Sequence, residues 1–456
     1  MLLLLACASP PPPPDVVLVS LDTTRADVID AETTPTLWAL AARGARFEWA
    51  FAHAPTTLSS HASVFTGQDP HGHSVPRNGY PLTPDHPVLA EAMAAAGYDT
   101  IGVIGASALA RPMGMDRGFR LWDEALSHTH EKRHEARAAE VTDRALAKLG
   151  ERRAEKPAFL FVHYYDAHAP YDAPAPWTTR WSDPAYGGPF DGTRRAMTAL
   201  ADASRAGAAL PADIAEARAR YRGEVSYMDA ELGRLLATLK DPYVVVFGDH
   251  GEALGDVADR AWGHGPDVDV PATHVPLLVA GPGVAARVVH TPVALSNVAA
   301  TVLGLAHVSG SLGTGRDLAP LWTGGAWAPA PVFLEATQPH AVPRMKQWNN
   351  LVFERGVVSG GWMMLTAPWL NEPPTMSRVF ADVSPDVSPD VSPDVSPDVS
   401  GDVSPDVSGD VSDPDIALAD LTALVEGWDA AAPPWRDSRM SDDTREGLKA
   451  LGYLEE

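Results

Sequence analysis

Asp22 and the pair Asp249-His250 close two short apolar runs that lie more than two hundred residues apart in a chain of 456. Two carboxylates and an imidazole, brought together, would form a site for a divalent cation, since mixed oxygen and nitrogen donors suit such ions. The first run is Val16-Val17-Leu18-Val19-Ser20-Leu21, and the second is Tyr243-Val244-Val245-Val246-Phe247, followed by Gly248. Each is short, β-branched and bounded by turn residues, which predicts a buried strand of a parallel sheet. Open α/β sheets bind ligands at the carboxyl ends of their strands, where these three residues fall. Either aspartate alone reads better as a cap on the next helix or turn. Their convergence with His250 points to a site.

The intervening chain supplies the elements that must position them. Pro35 opens a helix that Gly44 closes, Arg46 to Ala52 reads as a strand, and Thr57 to Thr66 reads as a helix opened by hydroxyl residues. Val88 to Ala96 is helical and Thr100 to Ile104 is a strand. Ala158 to Tyr164 is a further buried strand, delivering Asp166 and His168 at its carboxyl end. A long amphipathic helix carries Val225, Met228, Leu232, Leu235, Leu236 and Leu239 on one face and leads into the Asp249-His250 strand. Val275 to Ala280 and Ser296 to Leu305 complete the alternation as strand and helix. The expectation is an α/β domain over 15–325, a mostly parallel sheet flanked by helices. A smaller α+β C-terminal domain is expected over 326–456. Its strand candidates are Val332 to Leu334, Leu351 to Phe353 and Trp362 to Leu365, and its helix is Ile416 to Trp428.

The net charge of −24 argues against a nucleic-acid partner, because no basic segment is concentrated enough to displace counterions from a phosphate backbone. Ten of the acidic residues lie between Asp382 and Asp415, so the remainder is less acidic than the total suggests. There Asp-Val-Ser recurs eight times, with proline or glycine at nearly every fourth position, a pattern that blocks helix and ladder alike. It reads as a disordered surface loop over 382–413. Cys7 is the only cysteine, which excludes disulfides and a thiol nucleophile in the folded region. Met1 to Ser9 reads as the remnant of a lipoprotein signal, with Pro10 to Pro14 as a stiff spacer. The corresponding expectation is export to a bacterial periplasm or cell envelope, with membrane attachment through a lipidated Cys7.

Seven segments together resemble the sulfatases of the alkaline phosphatase superfamily. They are Val16 to Asp27; Thr34 to Leu37 with Ala42-Arg43-Gly44; Ala54 to Gly67; Phe161 to Tyr171; Gly248 to Glu252; Gly263-His264-Gly265; and Val275 to Gly283. They occur in family order, and Leu448 to Leu454 resembles the usual end of this branch. The resemblance implies the alkaline-phosphatase/sulfatase fold and an ester-cleaving, metal-dependent enzyme.

The departures from that pattern are coherent. A sulfatase carries a cysteine, converted to formylglycine, followed four residues later by arginine; here those positions hold Thr57 and His61. The family's lysine and histidine after the Thr100 to Ile104 strand correspond to Ala106 and Ala108, its second aspartate to Thr23, and its asparagine partner of Asp249 to His250. Its lysine near position 264 corresponds to His264. Asp22, Thr57, Asp249 and His250 instead resemble the metal site of superfamily members that act on phosphate. That set favours Zn²⁺ or Mn²⁺, with Ca²⁺ as the alternative.

The resemblance therefore implies a metal-activated Thr57 nucleophile that cleaves phosphate esters, or sulfate esters, of a small-molecule or extracellular substrate. A helix cap is the plainer role for Thr57. His168 and His264 are expected to bind nonbridging oxygens, protonate the leaving group or hold a second metal. His61, Arg25 and Asn78 are candidates to contact substrate. His53, His71, His73 and His163 read as structural. The alternatives are a phospho-group transferase, a true sulfuric ester hydrolase and a catalytically silent binding protein.

Overall fold

The computed structural model describes residues 13–126, 135–256, 262–337, 352–367, 373–379 and 414–433. Cys7, most of its flanking segment, the Asp-Val-Ser repeat and Leu448 to Leu454 lie outside the described residues.

The main sheet contains β1 (Val16–Leu21), β2 (Ala45–Phe51), β3 (Asp99–Ile104), β4 (Leu121–Asp123), β5 (Ala158–Tyr164), β6 (Tyr243–Gly248), β7 (His274–Ala280), β8 (Arg287–Val289) and β9 (Val293–Ala294). Its order is β4-β3-β5-β1-β6-β7-β2-β8, with β9 also beside β2. All neighbours run parallel except β7, which is antiparallel to both β6 and β2. The mostly parallel α/β architecture expected from the sequence is thus present. β1 and β6, so distant in sequence, are hydrogen-bonded neighbours with Leu21 opposite Gly248, which brings Asp22 and Asp249 side by side.

Strand alternation sorts the core into two layers. Val16 and Leu18 of β1, Phe159 and Phe161 of β5, and Val245 and Phe247 of β6 face one layer, while Val17, Val19, Leu160, Val162, Val244 and Val246 face the other. The first layer is covered by the helix Thr57–Thr66, whose Leu58, Ala62, Val64 and Phe65 pack there. The second is covered by Ala138–Gly150 and the long helix Pro211–Leu236. That helix ends at Leu236, so Leu239 lies beyond it, yet Leu239 still packs against the same layer.

A second, antiparallel sheet runs β10 (Val332–Thr337), β11 (Val352–Ser359), β12 (Trp362–Thr366) and β13 (Thr375–Arg378). It is seated on the first sheet: Val332, Leu334 and Met363 pack with Phe51, Val268 and Ala294. The backbone N–H of Glu335 donates to the carbonyl of His53 at 2.8 Å. The helix Pro414–Ala431 packs against it, with Leu421 and Val425 meeting Val357 and Met364. Among the described residues no helix is long and apolar enough to cross a membrane.

Candidate active site

On the face covered by the Thr57–Thr66 helix, each of three adjacent strands replaces its next apolar residue by a polar one. Beyond Leu18 come Ser20 and Asp22; beyond Phe161 comes His163; beyond Phe247 comes Asp249. All of them, with Thr57, His61 and His250, are fully buried. One ligand atom from each of Asp22, Asp249 and His250 lies within 4.8 Å of the others.

Asp249 divides its two oxygens between fold and site. Oδ1 accepts the backbone N–H of Thr23 at 3.0 Å and of His250 at 2.8 Å, tying the two strand ends together. Oδ2 is buried without a hydrogen-bond partner, as is Oδ1 of Asp22. Neither carboxylate bonds a lysine or arginine among the described residues. Burial pushes the Asp22 carboxyl up to about 7 and raises that of Asp249, which the charge of Asp22 raises further. Two buried, uncompensated carboxylates would cost several kcal/mol each, and one dication balances both charges.

The donor set fits such an ion. His250 donates from Nδ1 to the Gly251 carbonyl at 3.0 Å, which fixes the tautomer and leaves Nε2 as the lone-pair nitrogen. That Nε2 lies 3.6 Å from Asp249 Oδ2 and 3.5 Å from the Thr57 hydroxyl. The Thr57 hydroxyl donates to Asp22 Oδ2 at 3.3 Å. Thr57 is therefore no helix cap: Thr56 holds the N-cap position, and the Thr57 side chain turns to the carboxylates. Instead Asn78 Oδ1 accepts the N–H of Leu58 at 2.7 Å, while its Nδ2 is a buried donor with no partner. Orphaned acceptors on one side of Thr57 and an orphaned donor by its helix suit a cation and an anion respectively.

His163 corrects the structural role expected for it: its Nε2 lies 3.0 Å from Asp22 Oδ2. Burial lowers its pKa to about 4, so the ring is neutral and donates a hydrogen bond to Asp22. Alternation along β5 carries the signal, because His163 is two residues beyond Phe161 on the same face. His61 donates from Nδ1 to the Thr57 carbonyl at 2.7 Å and accepts from the Ser20 hydroxyl at 2.9 Å. Burial lowers its pKa to about 3, and its Nδ1 stands 3.6 Å from Asp249 Oδ2. Both His61 nitrogens are thus engaged, so this ring lines the carboxylates without a spare lone pair. With Thr57 and Ser20 holding its two nitrogens, His61 takes a positioning role inside the fold in place of the expected substrate contact.

Arg25 is also occupied: its guanidinium bonds Asp27 at 2.6 Å, Asp256 at 2.7 Å and the Glu252 carbonyl at 3.1 Å. It braces the loop after β6, an anchoring role in place of the expected substrate contact. His168 and His264 do come together, with ring centroids 5.0 Å apart, and His264 lies 4.5 Å from the ring of His250. His168 donates from Nδ1 to the Ala169 carbonyl at 2.9 Å, and burial lowers its pKa. His53 bonds Phe333 and Ser296, His71 bonds Glu335, and His73 bonds Ser63.

The sulfatase family profile matches residues 14–308, from just before β1 to just past the helix Asn297–Leu305. The chain belongs to the sulfatase family. Choline-sulfatase of Rhizobium meliloti (strain 1021) is 30% identical over 103 residues, 21% of this chain and 20% of that protein. Human (Homo sapiens) iduronate 2-sulfatase is 31% identical over 167 residues, 31% of this chain and 30% of that protein. The matches thus span under a third of either curated relative. Among solved structures, the phosphonate monoester hydrolase SpPMH of Silicibacter pomeroyi aligns with a TM-score of 0.63 at 23% identity, covering 91% of this chain and 94% of that one. That of Agrobacterium radiobacter aligns with a TM-score of 0.64 at 21% identity, covering 80% and 89%. These likenesses establish the shared fold of the sulfatase family and phosphonate hydrolases. The family and these neighbours are ester-bond hydrolases, and its enzymes are metal-dependent.

Proposed function

We propose that this sulfatase-family protein is a metal-dependent hydrolase that cleaves phosphate mono- or diesters through Thr57, with sulfate esters as weaker substrates. The observation that carries the reading is the Thr57 hydroxyl, 3.3 Å from Asp22 and 3.5 Å from His250, inside the cation-type ligand set. Asp22, Asp249, His250 and Thr57 would hold the ion, and the two imidazole and carboxylate donor types favour Zn²⁺ or Mn²⁺ over Ca²⁺. When bound, the cation supplies positive charge that favours ionisation of the Thr57 hydroxyl and draws electron density from the ester.

The chain's own groups account for the rest. Thr57 is the first residue of its helix, where backbone N–H groups favour an anion. Asn78 Nδ2 is a further donor for a nonbridging oxygen. No cysteine is available for formylglycine formation at this site, since Cys7 is the only one in the chain. The test is a comparison of esters of one alcohol. The protein, loaded with Zn²⁺ or Mn²⁺, should turn over p-nitrophenyl phosphate or bis(p-nitrophenyl) phosphate faster than p-nitrophenyl sulfate. Efficient turnover of the sulfate alone would overturn the phosphate reading.

A further inference from the structure

Glu252 and His264 face each other across a clamped loop. Between them, Ala253 and Gly263 form an antiparallel bridge, with N–H to carbonyl bonds of 2.8 and 2.9 Å in the two directions. The residues one step outside such a bridge stand opposite one another, so the backbone itself places Glu252 against His264. Glu252 Oε2 lies 3.3 Å from His264 Nδ1. Glu252 is 1% exposed, whereas the His264 side chain is 12% exposed. The buried carboxylate thus holds one side of a ring that reaches solvent on the other.

The surrounding chain is built to keep this arrangement. Arg25 grips the Glu252 carbonyl, and it also pairs with Asp256, whose carboxylate accepts the N–H of Leu254 at 2.8 Å. His264 is flanked by Gly263 at φ 99° and Gly265 at φ 111°, conformations that a side chain would disfavour. Its ring lies between the rings of His250 and His168.

We infer that Glu252 is a positioning residue: it holds Nδ1–H of His264 so that Nε2 delivers a proton to the leaving-group oxygen. The inference rests on the ester-cleaving reading of the same site. The Thr57 hydroxyl first gives up its proton to solvent; as its oxygen then forms a bond to phosphorus, the bond from phosphorus to the leaving oxygen breaks, and its electron pair stays on that oxygen. The proton on Nε2 passes to it, leaving neutral His264 with Nδ1–H still on Glu252. In the second half, neutral Nε2 takes one proton from water as the water oxygen bonds phosphorus; the bond from phosphorus to Thr57 Oγ1 breaks with its electron pair on that oxygen, which regains a proton from solvent, so His264 and Thr57 both return to their starting states.

The test is a series of aryl phosphates with leaving groups from p-nitrophenol to phenol, assayed with wild type, Glu252→Gln, His264→Gln and Glu252→Gln/His264→Gln. A poor leaving group needs the proton more, so Glu252→Gln should lose about 10-fold on the p-nitrophenyl ester and about 1,000-fold on the phenyl ester. The double variant should be no slower than His264→Gln alone, because Glu252 acts through His264. Equal losses across the series, or additive losses in the double variant, would overturn the inference. A proton magnetic resonance measurement reads the pair independently of activity. A downfield Nδ1–H signal that disappears in His264→Gln is expected, and its absence would refute the pair. Wild type inactive on every ester but retaining this signal would reject the hydrolase reading and leave the pair standing.

Discussion

His163 donates a hydrogen bond from Nε2 to Asp22 Oδ2 across 3.0 Å, with both side chains fully buried. With His163 and the Thr57 hydroxyl both on Oδ2, Oδ1 of Asp22 is buried without a hydrogen-bond partner, and the carboxylate clusters with Asp249 and His250 as a cation would require. Groups that orient a metal ligand typically contribute 10–100-fold to affinity. His163→Ala should therefore weaken Zn²⁺ binding by about 10–100-fold in a chelator competition. His163→Gln, whose amide can donate a similar bond, should recover part of it. Unchanged affinity in both variants would show that His163 only fills space.

How far the sequence reveals this site can be read from the same residue. The strands, the helix Thr57–Thr66 and the cluster Asp22, Asp249 and His250, which could hold a metal, follow from local signals, because an apolar run ending in a polar group is a one-dimensional pattern. The reversed direction of β7 is not legible, since Val275 to Ala280 is equally apolar whichever way it runs. Arg25 is misjudged for a similar reason: Asp256 lies 231 positions away and is brought to it only by the neighbouring β1 and β6. His163 was legible in principle, through its alternation with Phe161, once the helix side of the sheet is known. Glu252 follows only from the bridge between Ala253 and Gly263.

Metal uptake should release a proton from Asp22 in a pH-dependent way. In the metal-free protein burial raises its carboxyl from 3.8 to about 7. Below pH 7 it is mostly protonated, and a cation must displace that proton; above pH 8 it is already ionised. His61 and His163, lowered to about 3 and about 4, stay neutral over this range and add nothing. Calorimetry in buffers of different ionisation heat should detect about one more proton released at pH 6 than at pH 8.5, with affinity falling as pH falls. Proton release independent of pH would contradict the assignment of Asp22 as a ligand.

Asn78 combines two roles that substitution can separate. Its Oδ1 holds the N–H of Leu58, whereas its Nδ2 is buried and unpartnered. Asn78→Ala removes both and should cost about 1 kcal/mol of stability as a lost helix-end bond. Asn78→Asp keeps the acceptor and so the helix end, but replaces the donor with a carboxylate oxygen. Both should lower kcat by about 10²–10³-fold, the usual effect of losing one donor to a developing anion. Near-normal kcat in Asn78→Asp would remove Nδ2 from the site.

The C-terminal helix is fastened to the short helix Pro70–His73 and to β10 by Trp428. Its ring stacks on His71 at 3.6 Å and on Phe333 at 4.9 Å, and its indole N–H donates to Asp69 at 2.8 Å. Trp428→Ala should destabilise the protein by about 2–4 kcal/mol in thermal or denaturant unfolding. None of these contacts involves Asp22, Thr57, Asp249 or His250, so Zn²⁺ affinity of the folded variant should be unchanged. A change in affinity without a loss of stability would reverse that division.

Thr57 separates catalysis from ion binding most sharply. Its hydroxyl touches Asp22 and His250 but makes no capping bond, so Thr57→Ala should cost only about 1 kcal/mol of stability. With two carboxylates and His250 retained, the variant should still bind Zn²⁺, though more weakly. Phosphate ester turnover should nevertheless fall by about 10³-fold or more, because no other side chain in the ligand set can act as the nucleophile. Thr57→Ser keeps a hydroxyl one methyl smaller and should retain measurable turnover. Rapid acid quenching of wild type during turnover should trap one phosphoryl group on the peptide containing Thr57, readable by mass spectrometry. Full activity in Thr57→Ala would instead require direct attack by water, and Thr57 would then be only a ligand.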